Sequence, residues 1–374
     1  MNLYGTRGIE IPTLGVEEEY QIIDAKTREL SSDTRVLLSE GAAIYGEHIR
    51  PEFHSPVVEV VTTVCQTPKE IAEQVTELRR TMVGLAKKHG LLVAAASTHP
   101  TTNWRDVKLS DGERYLQISK DLGDVVRSNL IYGMHCHIGI KDPDARIHVM
   151  NQARFFIPHL IALTCSSPFW QGRDTGLSST RTAIFRRFPR TGLPEHFESF
   201  AEFEAYVNLL VSTESIDNAK RIYWDIRPHP FYPTIEFRAC DLPTKVRETT
   251  AVVALIQCLC TRFLALYRRN MSLRVWPRNL VVENVYRAYR YGVSGDFIDL
   301  QTRRTVPFRD IMRQLLDDLA EEVRLLHCEN EMAEIYRIIE HGNSADRQRA
   351  VFASTGSLDR VVDHVVAETM EGVF

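Results

Sequence analysis

Several signatures are missing from this 374-residue chain, and each absence removes a class of function. No two of its seven cysteines (65, 136, 165, 240, 258, 260 and 328) have CxxC spacing, and their number is odd. A zinc site or a disulfide framework is therefore not expected, and reduced thiols in a cytosol fit the pattern. The N-terminal stretch MNLYGTRGIEIPTLGVEEEY lacks the basic-then-apolar order of a secretory leader. The longest apolar runs, such as 251–260 (AVVALIQCLC), carry Gln257 and are too short to span a bilayer. There is no surplus of positive charge: the net charge is −4, which argues against a general nucleic-acid binder. A cytoplasmic protein with neither membrane nor nucleic-acid partners is expected. Also missing are GxxxxGK[ST], GxGxxG and GxSxG. If a nucleotide is used, metals and arginines must hold its phosphates in place of a glycine cradle.

What is present describes an ordinary globular chain, 44% hydrophobic and 25% charged, long enough to bury a large core. Residues 14–23 alternate, with Val16, Glu18, Tyr20 and Ile22 on one side and Glu17, Glu19, Gln21 and Ile23 on the other. Period two predicts a strand there, and further strands at 56–63, 91–96, 131–140, 222–228 and 234–240. Thr67, Pro68 and Glu70 open a helix that Gly90 ends. Other helices are expected at 111–129, at 144–164 with a kink at Pro158, and after Ser199. Residues 165–195 read as one long loop. From 245 onward the pattern is almost wholly helical: about 245–270, 280–291, 308–341 and 345–370. Strands interleaved with helices, then a helical run, predict an α+β chain with a curved antiparallel sheet backed by helices. The apolar faces at 245–270 and 308–341 make a homodimer the default expectation.

Glu17 and Glu19 share a strand face, where their repulsion is relieved by a cation between them or by full solvation at an edge. Glu59 is the only charge in VVEVVTT, and Glu52 precedes it by seven residues. Such a carboxylate either faces outward or is held by a metal or an arginine. His135 and His137 share a face in GMHCHIG, as metal ligands or as satisfied polar histidines. Asp225 and Arg227 lie on one strand, Glu236 and Arg238 on the next. Each pair could serve phosphoryl transfer, a carboxylate for metal beside a guanidinium for phosphate, or form a structural ion-pair ladder. Arg173, Arg181, Arg186 and Arg187 could clamp an anion or be solvated.

These pieces stand in a recognisable order. GVEEEY at 15–20, the glutamates at 52 and 59, GMHCH at 133–137 and IEFR at 235–238 resemble the glutamine synthetase-like superfamily. Within it, DTGLSSTR at 174–181, RPHPFYPTIEFRACD at 227–241 and RAYRYGVSGDFID at 287–299 resemble the glutamate–cysteine ligase type 2, or carboxylate–amine ligase, family. The likeness runs from near residue 14 into the C-terminal helices. It implies one ligase domain over 1–374, with the metal and ATP site within about 14–241 and a helical portion over about 245–374. It also implies an ATP-dependent ligase for small-molecule substrates, forming γ-glutamylcysteine through an acyl phosphate, with Mg²⁺ or Mn²⁺. By position, the resemblance makes Glu17, Glu19, Glu52, Glu59, Glu236 and His135 metal ligands. Arg238, Arg227 and Arg181 would contact the transferring phosphate, and His137, Arg238, Arg287 and Arg290 the nucleotide or substrate. Three rivals remain at this point: the same fold joining another acid and amine, a non-catalytic nucleotide- or metal-binding protein, and a metal-dependent hydrolase.

Overall fold

A computed structural model describes residues 10–374; the first nine positions read above for a leader lie outside the described residues. The acidic segment forms the long strand β1 (Thr13–Asp24). Around it are β2 (Ile49–Pro51), β3 (Val57–Val61), β4 (Leu91–Ala94), β5 (Gly133–Gly139), β6 (Ile226–Pro228) and β7 (Thr234–Asp241). The seven make one antiparallel sheet in the order β6-β7-β5-β1-β3-β2, with β4 also paired to β1. Gln21 stands opposite both Val57 of β3 and Ala94 of β4. β4 therefore continues the flank that β5 occupies lower down, and β1 is hydrogen-bonded on both sides.

Apolar residues on one face of the sheet pack on helices α1 (Pro68–Lys88), α2 (Pro143–Ala153), α3 (Ile157–Thr164) and α5 (Val246–Tyr267). α1 starts as its sequence predicts, Thr67 Oγ1 accepting from Glu70 N at 3.2 Å with Pro68 in the first turn. The Glu70 carboxylate returns a bond to Gln66 N, one residue before the cap. α5 is long and apolar enough to cross a membrane, but 89% of its apolar window is buried inside the protein, so it is a core helix.

One residue of the acidic triplet faces this core. Glu18 is fully buried, and its two oxygens accept from Tyr20 Oη (2.5 Å), Arg79 Nε (2.9 Å) and Nη2 (2.7 Å), and Thr249 Oγ1 (2.7 Å). Arg79, itself fully buried, also donates to the carbonyls of Pro243 and Thr244. The pair ties α1, β1 and α5 together at the point where the chain leaves β7.

Several sequence-based boundaries shift for local reasons. The 111–129 helix is broken at Gly123, whose φ of 54° leaves the helical region. The 144–164 helix is two helices joined by a 3₁₀ turn at Arg154–Phe156, and Pro158 opens the second in place of kinking one. Residues 308–341 divide into Phe308–Asp318, Ala320–Leu326 and Glu329–His341, the last break marked by His327 at φ 51°. Gly356, at φ 64°, divides 345–370. A hairpin, β8 (Asp296–Asp299) with β9 (Arg304–Pro307), interrupts the expected helical run after α6 (Arg278–Tyr291). The expected loop at 165–195 contains a six-residue helix, α4 (Thr180–Phe185), capped by Ser179.

Candidate active site

The other face of the sheet is charged, and strand register decides which charges meet. Glu59 of β3 lies between Arg50 and Glu19, Glu17 is opposite His135, and Glu236 stands between His137 and Arg227. Residues directly opposite on one face approach within contact distance. The floor is therefore a row of carboxylates, imidazoles and guanidinium groups drawn from β2, β3, β1, β5, β7 and β6.

Apart from His137, these groups line a cavity of ≈ 590 Å³. Two trios have potential ligand atoms within 4.8 Å of one another: Glu17, His135 and Glu236, and Glu19, Glu52 and Glu59. All six residues expected as metal ligands are thus brought together, in two adjoining groups. His135 Nδ1 is 3.0 Å from Glu17 Oε2, and His137 Nε2 is 3.3 Å from Glu17 Oε1. Glu19 Oε2 accepts from Gly133 N at 2.6 Å, and Glu52 Oε2 from Phe53 N at 2.9 Å. Hard oxygens throughout, with a single imidazole in the first trio and none in the second, suit Mg²⁺ or Mn²⁺ better than a soft metal.

The electrostatics of the two trios differ. Burial acts to raise Glu17, Glu236, Glu19 and Glu59 alike, but in the first trio opposite charge wins. Glu17 is held far below its ordinary value by His135 and His137, and Glu236 by Arg238 and Arg227. In the second trio nothing opposes burial strongly enough. Glu19 is pushed up to about 8 by burial and the Glu52 charge, and Glu59 well upward by burial and by Glu17, Glu52 and Glu19. Carboxylates that repel one another in this way fit a bound cation, which replaces the shared protons.

A pH dependence follows. A group raised in the folded state stabilises it fully below the unfolded value and loses that contribution as pH rises through the folded value. For Glu19 the window runs from its ordinary 4.5 to about 8, with Glu59 acting in the same direction. Denaturation midpoints measured in a chelator should therefore fall between about pH 5 and pH 8. Added Mg²⁺ should reverse the fall, most strongly at the alkaline end. A flat metal-free profile would mean that the second trio does not hold its protons.

Three of the arginines lining the bowl are those expected to contact the phosphate. Arg227 Nε donates to Glu236 Oε2 at 2.8 Å, and Arg238 binds Glu236 Oε1. Arg181 reaches in from α4 and donates to the carbonyls of Arg238 (3.0 Å) and Ala239 (3.3 Å). The Nε groups of Arg181 and Arg238 are buried with no partner, leaving donors for an anion. Gly133 makes Arg181 possible: a Cβ there would stand 2.4 Å from its Nη2. The glycine thus makes room for a neighbouring side chain.

Other expected contacts go elsewhere. Arg186 grips Asp225 with two bonds of 2.9 and 2.8 Å, so that carboxylate is spent on a structural pair. Arg173, Arg186 and Arg187 do not line the bowl. Arg287 donates to Glu283 and to the Asp296 carbonyl, and Arg290 to the Gly176 carbonyl. Both belong to α6, on the far side of α3 from the sheet floor, and neither lines the bowl. The resemblance brought them forward through a loop motif, whose role here is to fasten 174–181 to α6. His137 touches Glu17 at the edge of the site, but the cavity it lines is an adjoining cleft, with Thr13 and Tyr232. Arg50, which the sequence reading passed over, lies 3.8 Å from Glu59 and lines the bowl. Its register position opposite Glu59 was the only signal.

Comparison with known proteins decides the family. The sequence pattern of glutamate–cysteine ligase family 2 matches residues 13–364. The chain belongs to that family. A relative from Solibacter usitatus, named "Putative glutamate--cysteine ligase 2", is 44% identical over 363 residues, covering 97% of this chain and 94% of its own. One of the same name from a Roseiflexus species is 44% identical over 374 residues, covering 100% and 99%. Among solved structures, a glutamate–cysteine ligase from Francisella tularensis in complex with AMP aligns with a TM-score of 0.72 at 12% identity, covering 99% of this chain and 90% of that one. The Pup ligase PafA, in complex with Pup, aligns at 0.51 and 12%, covering 95% and 72%. These likenesses carry the fold, which is that of glutamine synthetase-like ligases. Membership places the chain in a carboxylate–amine ligase family of the glutamate–cysteine ligase type.

Proposed function

We propose that the chain condenses the γ-carboxylate of L-glutamate with the amino group of L-cysteine, consuming ATP. The supporting observation is the pairing of two clustered ligand trios with three arginines on one sheet face. A glutamate γ-carboxylate oxygen attacks the γ-phosphorus of ATP, and the bond to the ADP oxygen breaks. The neutral amine nitrogen then attacks the acyl carbon of the acyl phosphate, inorganic phosphate leaves with the C–O electron pair, and the proton lost by the nitrogen ends on the departing phosphate.

Glu17, His135 and Glu236 would hold one divalent ion, Mg²⁺ or Mn²⁺, and Glu19, Glu52 and Glu59 another. When bound, such ions neutralise phosphate charge and polarise phosphoryl oxygens. The unpartnered Nε donors of Arg181 and Arg238 bind equatorial oxygens of the transferring group, where charge develops. Arg227 acts through Glu236, keeping that carboxylate ionised and aimed at the first trio. His137 orients Glu17 from the other side and borders the cleft that would admit a substrate.

The test is ADP release from Mg·ATP and L-glutamate across a panel of amines. ADP and a γ-glutamyl product appearing with cysteine alone would establish the reaction. ADP with a different amine would retain the ligase and replace the substrate. ATP-independent amide hydrolysis would overturn the reading in favour of a hydrolase.

A further inference from the structure

A second cavity, of ≈ 380 Å³, shares no lining residue with the bowl. It lies where α2, α3, α5 and α6 meet the chain segment 273–276 and the β8–β9 hairpin. Aromatic side chains dominate its inner wall, among them Phe156, Phe263, Trp276 and Phe297. One cation is embedded in that wall. Arg154, in the 3₁₀ turn between α2 and α3, is only 4% exposed. Its Nε and Nη1 atoms are buried without a hydrogen-bond partner.

Several neighbouring polar groups are already engaged, while His159 Nδ1, like the two Arg154 atoms, is buried without a hydrogen-bond partner. Asn151 exchanges bonds with the Phe197 backbone, and Asn284 with that of Ile298. Gln152 Oε1 accepts from Leu273 N at 2.7 Å, which ties the 273–276 segment to α2. Arg262 is paired with Glu322. Arg154 makes no ion pair among the described residues; burial disfavours its charge, Glu195 favours it, and Arg278 opposes it. A guanidinium cannot shed its proton, so a buried unmatched one is destabilising until an acceptor arrives.

We propose that this cavity binds a small apolar monocarboxylate, its acid group against Arg154 and its hydrocarbon body against the aromatic wall. Two features select that class. Arg154 is the buried unmatched cation among the described lining residues, Arg274 being exposed over the Trp276 ring, and one such charge suits one negative group, while Asp299, Asp310 and Asp318 around the cavity repel a polyanion such as a nucleotide. The inner wall offers stacking and dispersion surface but few free polar groups, so a bare inorganic anion leaves most of the volume unfilled. The site is independent of the ligase chemistry, since none of its residues touches the bowl.

Calorimetric titration of the full chain with 4-phenylbutyrate and with its neutral counterpart, 4-phenylbutanol, tests the site. The native protein should bind the acid at least about tenfold more tightly, the increment of one charge-assisted contact. Arg154→Met should remove that preference while keeping the alcohol affinity within about twofold. The same variant should melt no lower than the native protein, because it deletes an unmatched buried charge. Val306→Trp, which fills the cavity from the half-buried hairpin wall, should weaken both ligands and covers the case in which the first variant folds poorly. Equal affinity of native protein for acid and alcohol would overturn the proposal. So would acid binding unchanged in both variants, which would place the ligand in the arginine-bearing bowl, or no acid binding by native protein up to about 10 mM.

Discussion

Glu236→Gln is expected to lower turnover by roughly 10²–10³-fold or more, the scale for removing one preorganised charge from a reacting centre. Glu236 is 2% exposed and belongs to the first ligand trio, and it is also the carboxylate that both Arg227 and Arg238 bind. Its neutral amide weakens a cation site and leaves two guanidinium groups facing each other without the charge that joined them. On the sequence alone this substitution reads as a pure active-site change that leaves the fold intact. The buried ion-pair partners add a stability cost of the order of 3 kcal/mol. Single-turnover ADP formation and urea denaturation of the same preparation separate the two effects. Activity within tenfold of native, in protein shown to be folded, would remove Glu236 from the chemistry.

The largest effect on stability should come from a residue that touches no substrate. Arg79→Met is expected to cost about 3–5 kcal/mol, a large share of the roughly 5–15 kcal/mol typical of a folded domain. The reason lies in what remains behind. Glu18, fully buried, keeps only the hydroxyls of Tyr20 and Thr249 as donors. The carbonyls of Pro243 and Thr244 lose their donor as well. The double variant Glu18→Gln, Arg79→Met should recover part of the loss, since an amide is far cheaper to bury than an unpaired carboxylate. Urea midpoints of the native, single and double variants form the measurement. A double variant no more stable than the single would show that the cost is packing around the guanidinium stem and not stranded charge.

Glu18 also marks the limit of what the sequence discloses. Period two placed Glu17 and Glu19 on one face of β1 and Glu18 on the other, and the structure keeps that division. What alternation could not reveal is that the odd glutamate faces the core, because its partner is 61 positions away on a helix whose apolar stripe is otherwise ordinary. The catalytic face was legible for a different reason: its carboxylates and histidines sit in short strand motifs, and antiparallel register brings such motifs side by side. Arg287 and Arg290, which the resemblance put forward, lie outside the bowl. Arg290 fastens the Gly176 carbonyl, which helps position the segment that delivers Arg181. The breaks at Gly123 and His327 are local backbone events inside segments of helical composition, so averaging over a window hides them, whereas the β8–β9 hairpin occupies the stretch between two expected helices for which the sequence predicts no element.

The three consecutive glutamates make β1 intolerant of length changes. A one-residue deletion before Glu17 would rotate every following side chain to the opposite face. Glu18 would then enter the bowl as Glu17 and Glu19 turned toward Arg79, where one guanidinium would meet two carboxylates. The composition of the segment would be unchanged, and so would its charge. Among natural variants of this chain, substitutions within 17–19 are therefore expected to outnumber insertions and deletions, which β1, bonded along both flanks, has no free edge to absorb.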